Sequence, residues 1–260
     1  MYASAKGFFY KHYTIYKKSQ AEKATLFIYP LVSLFSIGIL ALYLKASGAT
    51  SNAIPFVIVG TLAWTFYELC QRAMVYGMTL DIWDYCLKHM LLSPASIMDY
   101  IIGNSIFGIT IGAFALAILS ALSSVFFGFD AFSALSVSIL SLAVIFLFAV
   151  AMGLAILSMM VAYDKEYLAL TWSMPGIIMV FSGVYYPVSM LPGSVQNVAY
   201  ILPTTYAIDA MRITLGLATG AAGNELIRGF IISLAYLAVF YWAFRASLNH
   251  ARKTGRTITG

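Results

Sequence analysis

The longest uncharged run of the chain lies in its C-terminal half and is interrupted by prolines. The 42 residues at 167–208 carry no charged side chain. They contain Pro175, Pro187, Pro192 and Pro203. A membrane-spanning helix needs about 20 apolar residues, so the run is about twice too long for one span. Proline breaks helix interiors, and non-helical backbone at membrane depth needs protein or a watery cavity around it. The run therefore predicts one span at about 167–186 and a short re-entrant or interfacial hairpin at 187–208.

The composition and the placement of charge indicate a polytopic membrane protein. Hydrophobic residues make up 62% of the 260 residues and charged residues only 10%, with a mean hydropathy of +0.88. The net charge is +4 in residues 1–23 and again +4 in residues 245–260. Basic segments that flank spans remain on the cytoplasmic side. Both ends are thus expected in the cytoplasm, which requires an even number of crossings.

The uncharged segments predict an all-α polytopic membrane protein with six transmembrane helices. Two full spans within 167–208 would give seven crossings and put the basic C-terminal tail at 251–260 outside. We expect one transmembrane domain at 24–250 of the plasma (inner) membrane, an interfacial helix before it and short outer gate helices between spans five and six. The predicted spans are about 24–45, 55–80, 100–128, 132–162, 167–186 and 225–246.

The N-terminal segment 1–23 has the pattern of an amphipathic helix. Its aromatic face consists of Tyr2, Phe9, Tyr13 and Tyr16, and its opposite face of Lys11, Lys17 and Lys18. Such a helix lies in the membrane interface, with aromatic rings among the headgroups and lysines near phosphates. It is expected to serve as an anchor or as a guide for substrate.

The stretch at 81–99 is too polar to span a membrane and long enough for one short helix. An apolar stripe at helical spacing consists of Trp83, Leu87, Met90 and Leu91. Ser93-Pro94 ends it, because proline disfavours helical geometry in the residue before it. The stripe rests on lipid or docks a cytoplasmic partner.

Catalytic motifs are missing from the sequence. It has no phosphate-binding loop of the form GxxxxGK[ST] and no HExxH, and we expect neither a metal site nor catalytic residues. Asp81 and Asp84 are interpreted as helix N-caps. Glu68 and Arg72 lie one turn apart inside the second span, which predicts an intramembrane ion pair, either structural or broken during gating.

Two segments resemble the permeases of type-2 ATP-binding-cassette exporters, a family that carries polysaccharides, teichoic acids and drugs. FSGVYYPVSMLPGSVQNVAYILPTTYAIDAMR at 181–212 resembles the family signature around its fifth and sixth spans. WDYCLKHMLLSPAS at 83–96 resembles its coupling segment, and GTLAW at 60–64 the start of its second span. The likeness extends over about 24–248.

The resemblance implies a function and a set of partners. It implies a permease subunit that exports an amphipathic substrate (a glycolipid or polysaccharide, a lipid or a hydrophobic drug), pairs with a second copy of itself and takes energy from two copies of a cytoplasmic ATPase. This chain would bind no cofactor, since ATP and Mg belong to the ATPase, and no nucleic acid. Membrane lipid is the remaining partner. Docking is assigned to Trp83, Leu87, Met90, Leu91, Leu92, Ser93 and Pro94.

A homodimer with a path along its two-fold axis must be closed from outside at rest. Segment 182–206 combines apolar side chains, which can dewet a pore, with helix breaks. The expected closing side chains are Tyr185, Tyr186, Met190, Leu191 and Tyr200. The bends are assigned to Gly183, Pro187 and Pro192, with Pro203 at the end of the gate. Alternatively, the hairpin only caps the bundle.

Two other function classes remain open at this point. A stand-alone channel or secondary transporter would work without an ATPase, and an intramembrane lipid-modifying enzyme would need catalytic groups. An adjacent reading frame with GxxxxGK[ST] and an LSGGQ-like motif would favour the exporter.

Overall fold

The computed structural model describes residues 2–48, 52–83, 96–163 and 169–254, and within them all regular secondary structure is helical. A one-turn 3₁₀ helix, Val188–Met190, lies between α7 and α8. The described α-helices are α1 Tyr2–Lys18, α2 Gln20–Ala46, α3 Ala53–Trp83, α4 Ile97–Phe127, α5 Ala131–Val137, α6 Ile139–Ala162, α7 Leu170–Phe181, α8 Gly193–Ala199, α9 Pro203–Thr214 and α10 Ala222–Thr254.

Five of these helices are long and apolar enough to cross a membrane, which makes the chain a multi-pass helical membrane protein. They are α2, α3, α4, α6 and α10. The predicted span at 167–186 corresponds to α7, which has only 12 residues. At about 1.5 Å per residue, α7 is shorter than the hydrocarbon thickness of about 30 Å. The sixth crossing therefore stays a prediction.

Helix α3 is the centre of the bundle. It packs against α2, α4 and α6, and its most apolar part is largely buried, whereas α2 and α10 leave most of their apolar surface exposed. The principal core joins Leu62, Tyr67 and Phe148 among many others. Helix α10 lies along α6, where the Ser233 hydroxyl donates to the carbonyl oxygen of Val144 at 3.2 Å. A helix exposed on this scale faces lipid or another protein.

Local signals set the helix ends near the predicted bounds. Ser96 and Asp99 form a reciprocal capping box at the start of α4, and Gly128 ends α4 with a φ of +65°. The predicted fourth span at 132–162 is divided, because the chain bends at Ser138 between α5 and α6. The Ser138 N–H donates to the carbonyl oxygen of Leu135, three residues earlier, which is the 3₁₀-type bond that often ends a helix.

Two segments are more closely packed or more helical than their sequences indicate. Between the predicted hairpin and the predicted sixth span, the chain is helical up to Thr214, because Pro203 is suited to a first turn and Gly216, with a φ of +70°, stops the helix only later. Helix α1 does not rest on lipid through its aromatic face alone. Tyr16 is buried against Phe107 of α4, while Tyr13 is exposed.

The bundle has two ends that differ in chemistry. The basic end carries α1, the start of α2 and the last turns of α3. The proline-rich end carries residues 182–206, which we call the outer element, together with α9. The candidate functional site lies at the proline-rich end.

Candidate functional site at the proline-rich end

The outer element begins with a sharp turn after α7. Gly183 has a φ of +62°, a conformation that favours glycine. A Cβ atom there would lie 2.8 Å from Cγ2 of Val188 and 3.0 Å from the carbonyl oxygen of Tyr186. Pro187 follows in extended conformation, with a φ of −65°. Any larger residue at position 183 would therefore strain the bend assigned to Gly183.

A single buried arginine holds this turn in place. Arg212 of α9 is 1% exposed. Its Nη1 donates to the carbonyl oxygen of Gly183 at 2.8 Å and its Nη2 to that of Val184 at 2.7 Å. The guanidinium also lies over the ring of Phe56, 3.6 Å from its centroid. Arg212 thus joins α9 and α3 to the turn through charge-assisted bonds, which are stronger than bonds between neutral groups.

The charge of Arg212 is retained despite its burial. Asp209 lies one turn earlier, with an oxygen 3.8 Å from Nη1. Burial lowers the pKa of Arg212 to about 10, a shift that Asp209 opposes. Burial also raises the pKa of Asp209, and Arg212 counteracts this. At neutral pH the guanidinium is still protonated, so both carbonyl groups keep a cationic donor.

Helix α3 approaches the turn at a glycine. A Cβ atom on Gly60 would overlap the carbonyl oxygen of Val184. The same carbonyl accepts from Arg212 on its other side. Gly60 therefore permits a backbone contact between a buried helix and the outer element that any other residue would prevent.

Further hydrogen bonds fold the outer element on itself. The hydroxyl groups of Ser182 and Thr204 lie 2.6 Å apart, which ties the end of α7 to the start of α9. Thr205 Oγ1 donates to the carbonyl oxygen of Ala199 at 2.8 Å, and Gln196 donates to that of Leu191 at 2.8 Å. These bonds satisfy backbone groups that the breaks between short helices leave open.

The predicted gate residues share one element but differ in exposure. Gly183 and Pro203 are buried, and Tyr185 packs partly against the core. Tyr186, Pro187 and Leu191 are half-buried, and the hydroxyl of Tyr186 donates to the carbonyl oxygen of Val180. Met190, Pro192 and Tyr200 are exposed, Met190 to 75%. The outer element thus presents an apolar surface, and its closing role stays a prediction.

The predicted intramembrane pair of Glu68 and Arg72 is not in direct ionic contact in the structure, and its role stays a prediction. Glu68 and Arg72 lie a turn apart on α3, both half-buried, but no charged atoms of these two described residues lie within 4.0 Å. The Arg72 guanidinium instead lies over the ring of Trp172 of α7, 4.5 Å from its centroid. A flat guanidinium stacks well on an indole, so Arg72 connects α3 to α7.

The predicted docking residues fall largely outside the described part of the chain. Trp83 is the last residue of α3. The remaining docking positions, Leu87, Met90, Leu91, Leu92, Ser93 and Pro94, lie outside the described residues, as does Asp84. Asp81 is not a helix N-cap, because it belongs to the last turn of α3 and accepts a bond from Lys11.

Several residues that matter here were missed in the sequence. Arg212 was included in the quoted signature without a role, and Gly60 likewise. A single arginine in a long nearly uncharged stretch that flanks the proline-rich run is the signal that could have indicated Arg212. Among the described residues, no group of three or more His, Cys, Asp and Glu side chains is placed to hold a metal ion.

Comparison with known proteins identifies the architecture. A family model described as ABC-2 type transporter matches residues 9–215. The match runs from the middle of α1 to the end of α9 and includes the whole outer element. A search of curated proteins finds no match.

Proposed function

Because the chain belongs to the ABC-2 type transporter family, and is therefore a membrane component of an ABC transporter, we propose that it is the permease subunit of an ATP-driven exporter. It moves an amphipathic substrate (a glycolipid or polysaccharide, a lipid or a hydrophobic drug) out of the cytoplasm. Two copies of a separate ATPase subunit supply the energy, and two copies of this chain form the path. The chain lies in the plasma membrane with both termini in the cytoplasm.

The observation that carries this proposal is the outer element bound to α3 and α9 by Arg212. The element is folded on itself by hydrogen bonds, and its turn meets α3 at Gly60 and α9 at Arg212. Such an element can act as a lid that moves about its turn while the span helices stay packed.

The gate works through the exposed apolar side chains of the outer element. Met190 and Tyr200 are large, apolar and exposed in the single chain, and Tyr185 and Tyr186 lie beside the turn that Arg212 holds. Two such surfaces meeting on a two-fold axis would exclude water and ions, since a narrow apolar constriction dewets. Movement of the 183–184 turn would separate them and open the path outward.

The docking assignment gives a direct test of the ATPase partnership. Replacing Leu91 and Leu92 together by aspartate should abolish co-purification with the ATPase and leave membrane insertion intact. The apolar contact is lost, and two carboxylates would be buried at the interface without partners. The measurement is the yield of ATPase bound to the tagged chain, together with the amount of chain in the membrane fraction.

A matched control places acidic residues elsewhere on the same side. Lys17 and Lys18 are exposed on α1, and their replacement by aspartate should leave the ATPase bound. Undiminished yield with the Leu91 and Leu92 variant would contradict the assignment of 83–96 as the docking segment.

A further inference from the structure

Helix α1 is seated in the bundle by two glycines. A Cβ atom on Gly103 of α4 would lie 2.5 Å from the carbonyl oxygen of Ala5, and one on Gly77 of α3 would lie 2.7 Å from Nε2 of His12. Both glycines therefore form notches that admit α1 at close range. Closely packed elements of this kind shift as units and do not slide freely.

The face of α1 that enters the bundle carries a buried histidine. His12 is 1% exposed and stacks on Phe107 of α4, with ring centroids 5.0 Å apart. Burial lowers the pKa of His12 to about 4, and the neighbouring Lys11 acts in the same direction. The ring is therefore neutral at physiological pH, which suits its position between two helices.

Lys11 bonds α1 to the last turns of α3. Its Nζ lies 2.6 Å from both carboxylate oxygens of Asp81 and donates to the carbonyl oxygen of Gly77 at 3.0 Å. The pair is partly shielded from water, with side-chain exposures of 32% and 19%. A lysine with three protein acceptors has all its donors satisfied. The three bonds therefore hold Lys11, and with it α1, against the last turns of α3.

The same end of α3 is also bonded to the start of α2. The hydroxyl of Tyr76 donates to Glu22 at 2.6 Å. Tyr76, Gly77 and Asp81 therefore contact α1 and α2 from the last turns of α3. Asp81 lies two residues before the 83–96 segment, which runs from the end of α3 to the start of α4 along the chain.

We propose that Lys11 and Asp81 are positioning residues for energy coupling, whose bond makes α1 and the inner end of α3 move as one body when the ATPase acts on 83–96. This inference rests on the proposed function. The ion pair bypasses the route along the chain from α1 through α2 to α3, and it lets the ATPase displace the inner ends of α2, α3 and α4 together.

The test uses the full complex with its ATPase in liposomes and a cysteine at the exposed position 190 as a reporter. Cys70 and Cys86 are replaced by alanine, and Met190→Cys is labelled with a membrane-impermeant maleimide, with and without vanadate-trapped nucleotide. We expect the labelling rate to differ between the two states. Lys11→Glu or Asp81→Lys should remove that difference while ATP hydrolysis continues.

Restoring the ion pair with exchanged residues separates an effect on energy coupling from a loss of protein stability. The exchanged pair, Lys11→Asp with Asp81→Lys, should recover the nucleotide-dependent difference at least in part, and Lys11→Arg should retain it. Lys17→Glu, on the exposed face of α1, should retain it fully. If a charge-reversed variant does not fold, Lys11→Gln provides the measurement, since it removes the charge and keeps most of the side chain.

Two outcomes would overturn the proposal. One is an unchanged nucleotide-dependent difference in Lys11→Glu and Lys11→Gln. The other is a loss in Lys11→Glu that the exchanged pair does not restore at all. Failure of the proposed function would show separately, because the parent complex would then bind no ATPase or show no nucleotide-dependent labelling at position 190.

Discussion

Replacing Arg212 by methionine is expected to lower the free energy of unfolding by about 3 to 5 kcal/mol, in the range found when one partner of a buried charged network is removed. The methionine fills similar volume but leaves the carbonyl groups of Gly183 and Val184 without their donor and Asp209 without its cation. Unsatisfied buried carbonyls each cost about 1 to 3 kcal/mol. Unfolding in a denaturing detergent series measures the difference.

Two variants distinguish the loss of the Arg212 hydrogen bonds to Gly183 and Val184 from a general effect of removing a charge. Arg212→Lys keeps the charge but not the fork that reaches two carbonyls, so we expect an intermediate loss. Arg228, 64% exposed and 3.7 Å from Glu225, is the matched control, and Arg228→Met should change stability by less than about 1 kcal/mol. Equal effects at positions 212 and 228 would contradict the assignment of Arg212 as the residue that holds the outer element.

The second large effect is expected at Gly60. In Gly60→Ala the new methyl group would overlap the Val184 carbonyl oxygen, so the 183–186 turn must move away from α3. Overpacking of this kind costs about 1 to 3 kcal/mol. We also expect a raised ion leak through reconstituted protein, because the displaced turn carries Tyr185 and Tyr186 with it. Ion flux from proteoliposomes and detergent unfolding measure the two effects.

Gly176 supplies the control for this substitution. It also lies in a helix, α7, but a Cβ atom there would meet no atom within 4 Å. Gly176→Ala should therefore be neutral or stabilising, since alanine is favoured over glycine in helices by about 1 kcal/mol. If the Gly60→Ala protein has the same stability and the same ion flux as Gly176→Ala, the close contact between α3 and the turn is not needed for stability or for closing the path.

Sequence patterns predicted the fold well where the signal is local. Uncharged runs located five long helices, and Gly128 and Ser96 set helix ends through turn and cap preferences that a few residues define. The bend at Gly183 also follows from its own stretch of chain, where prolines alternate with apolar residues. In each case the physical cause is short in sequence and independent of tertiary packing.

The contacts that define the site lie far apart in the sequence. Arg212 meets Gly183 across 29 residues, and Lys11 meets Asp81 across 70. The helical pattern of α1 predicts that Lys11 lies near the lipid phosphates. Only the packing of α1 into the notches at Gly77 and Gly103 shows that Lys11 faces α3. The stacking of Arg72 on Trp172 could not be predicted for the same reason, since it depends on the packing of α7 on α3.

If this membrane domain works through a separate ATPase, ATP hydrolysis in proteoliposomes must depend on that subunit. The tagged chain is purified with its bound proteins, reconstituted in lipid and assayed for vanadate-sensitive ATP turnover and for ion flux. We expect a complex of two permease chains and two subunits bearing GxxxxGK[ST], with turnover that depends on those subunits and no ion flux through the chain alone. Steady ion flux through the chain alone, with no such subunit bound, would contradict it and identify a channel.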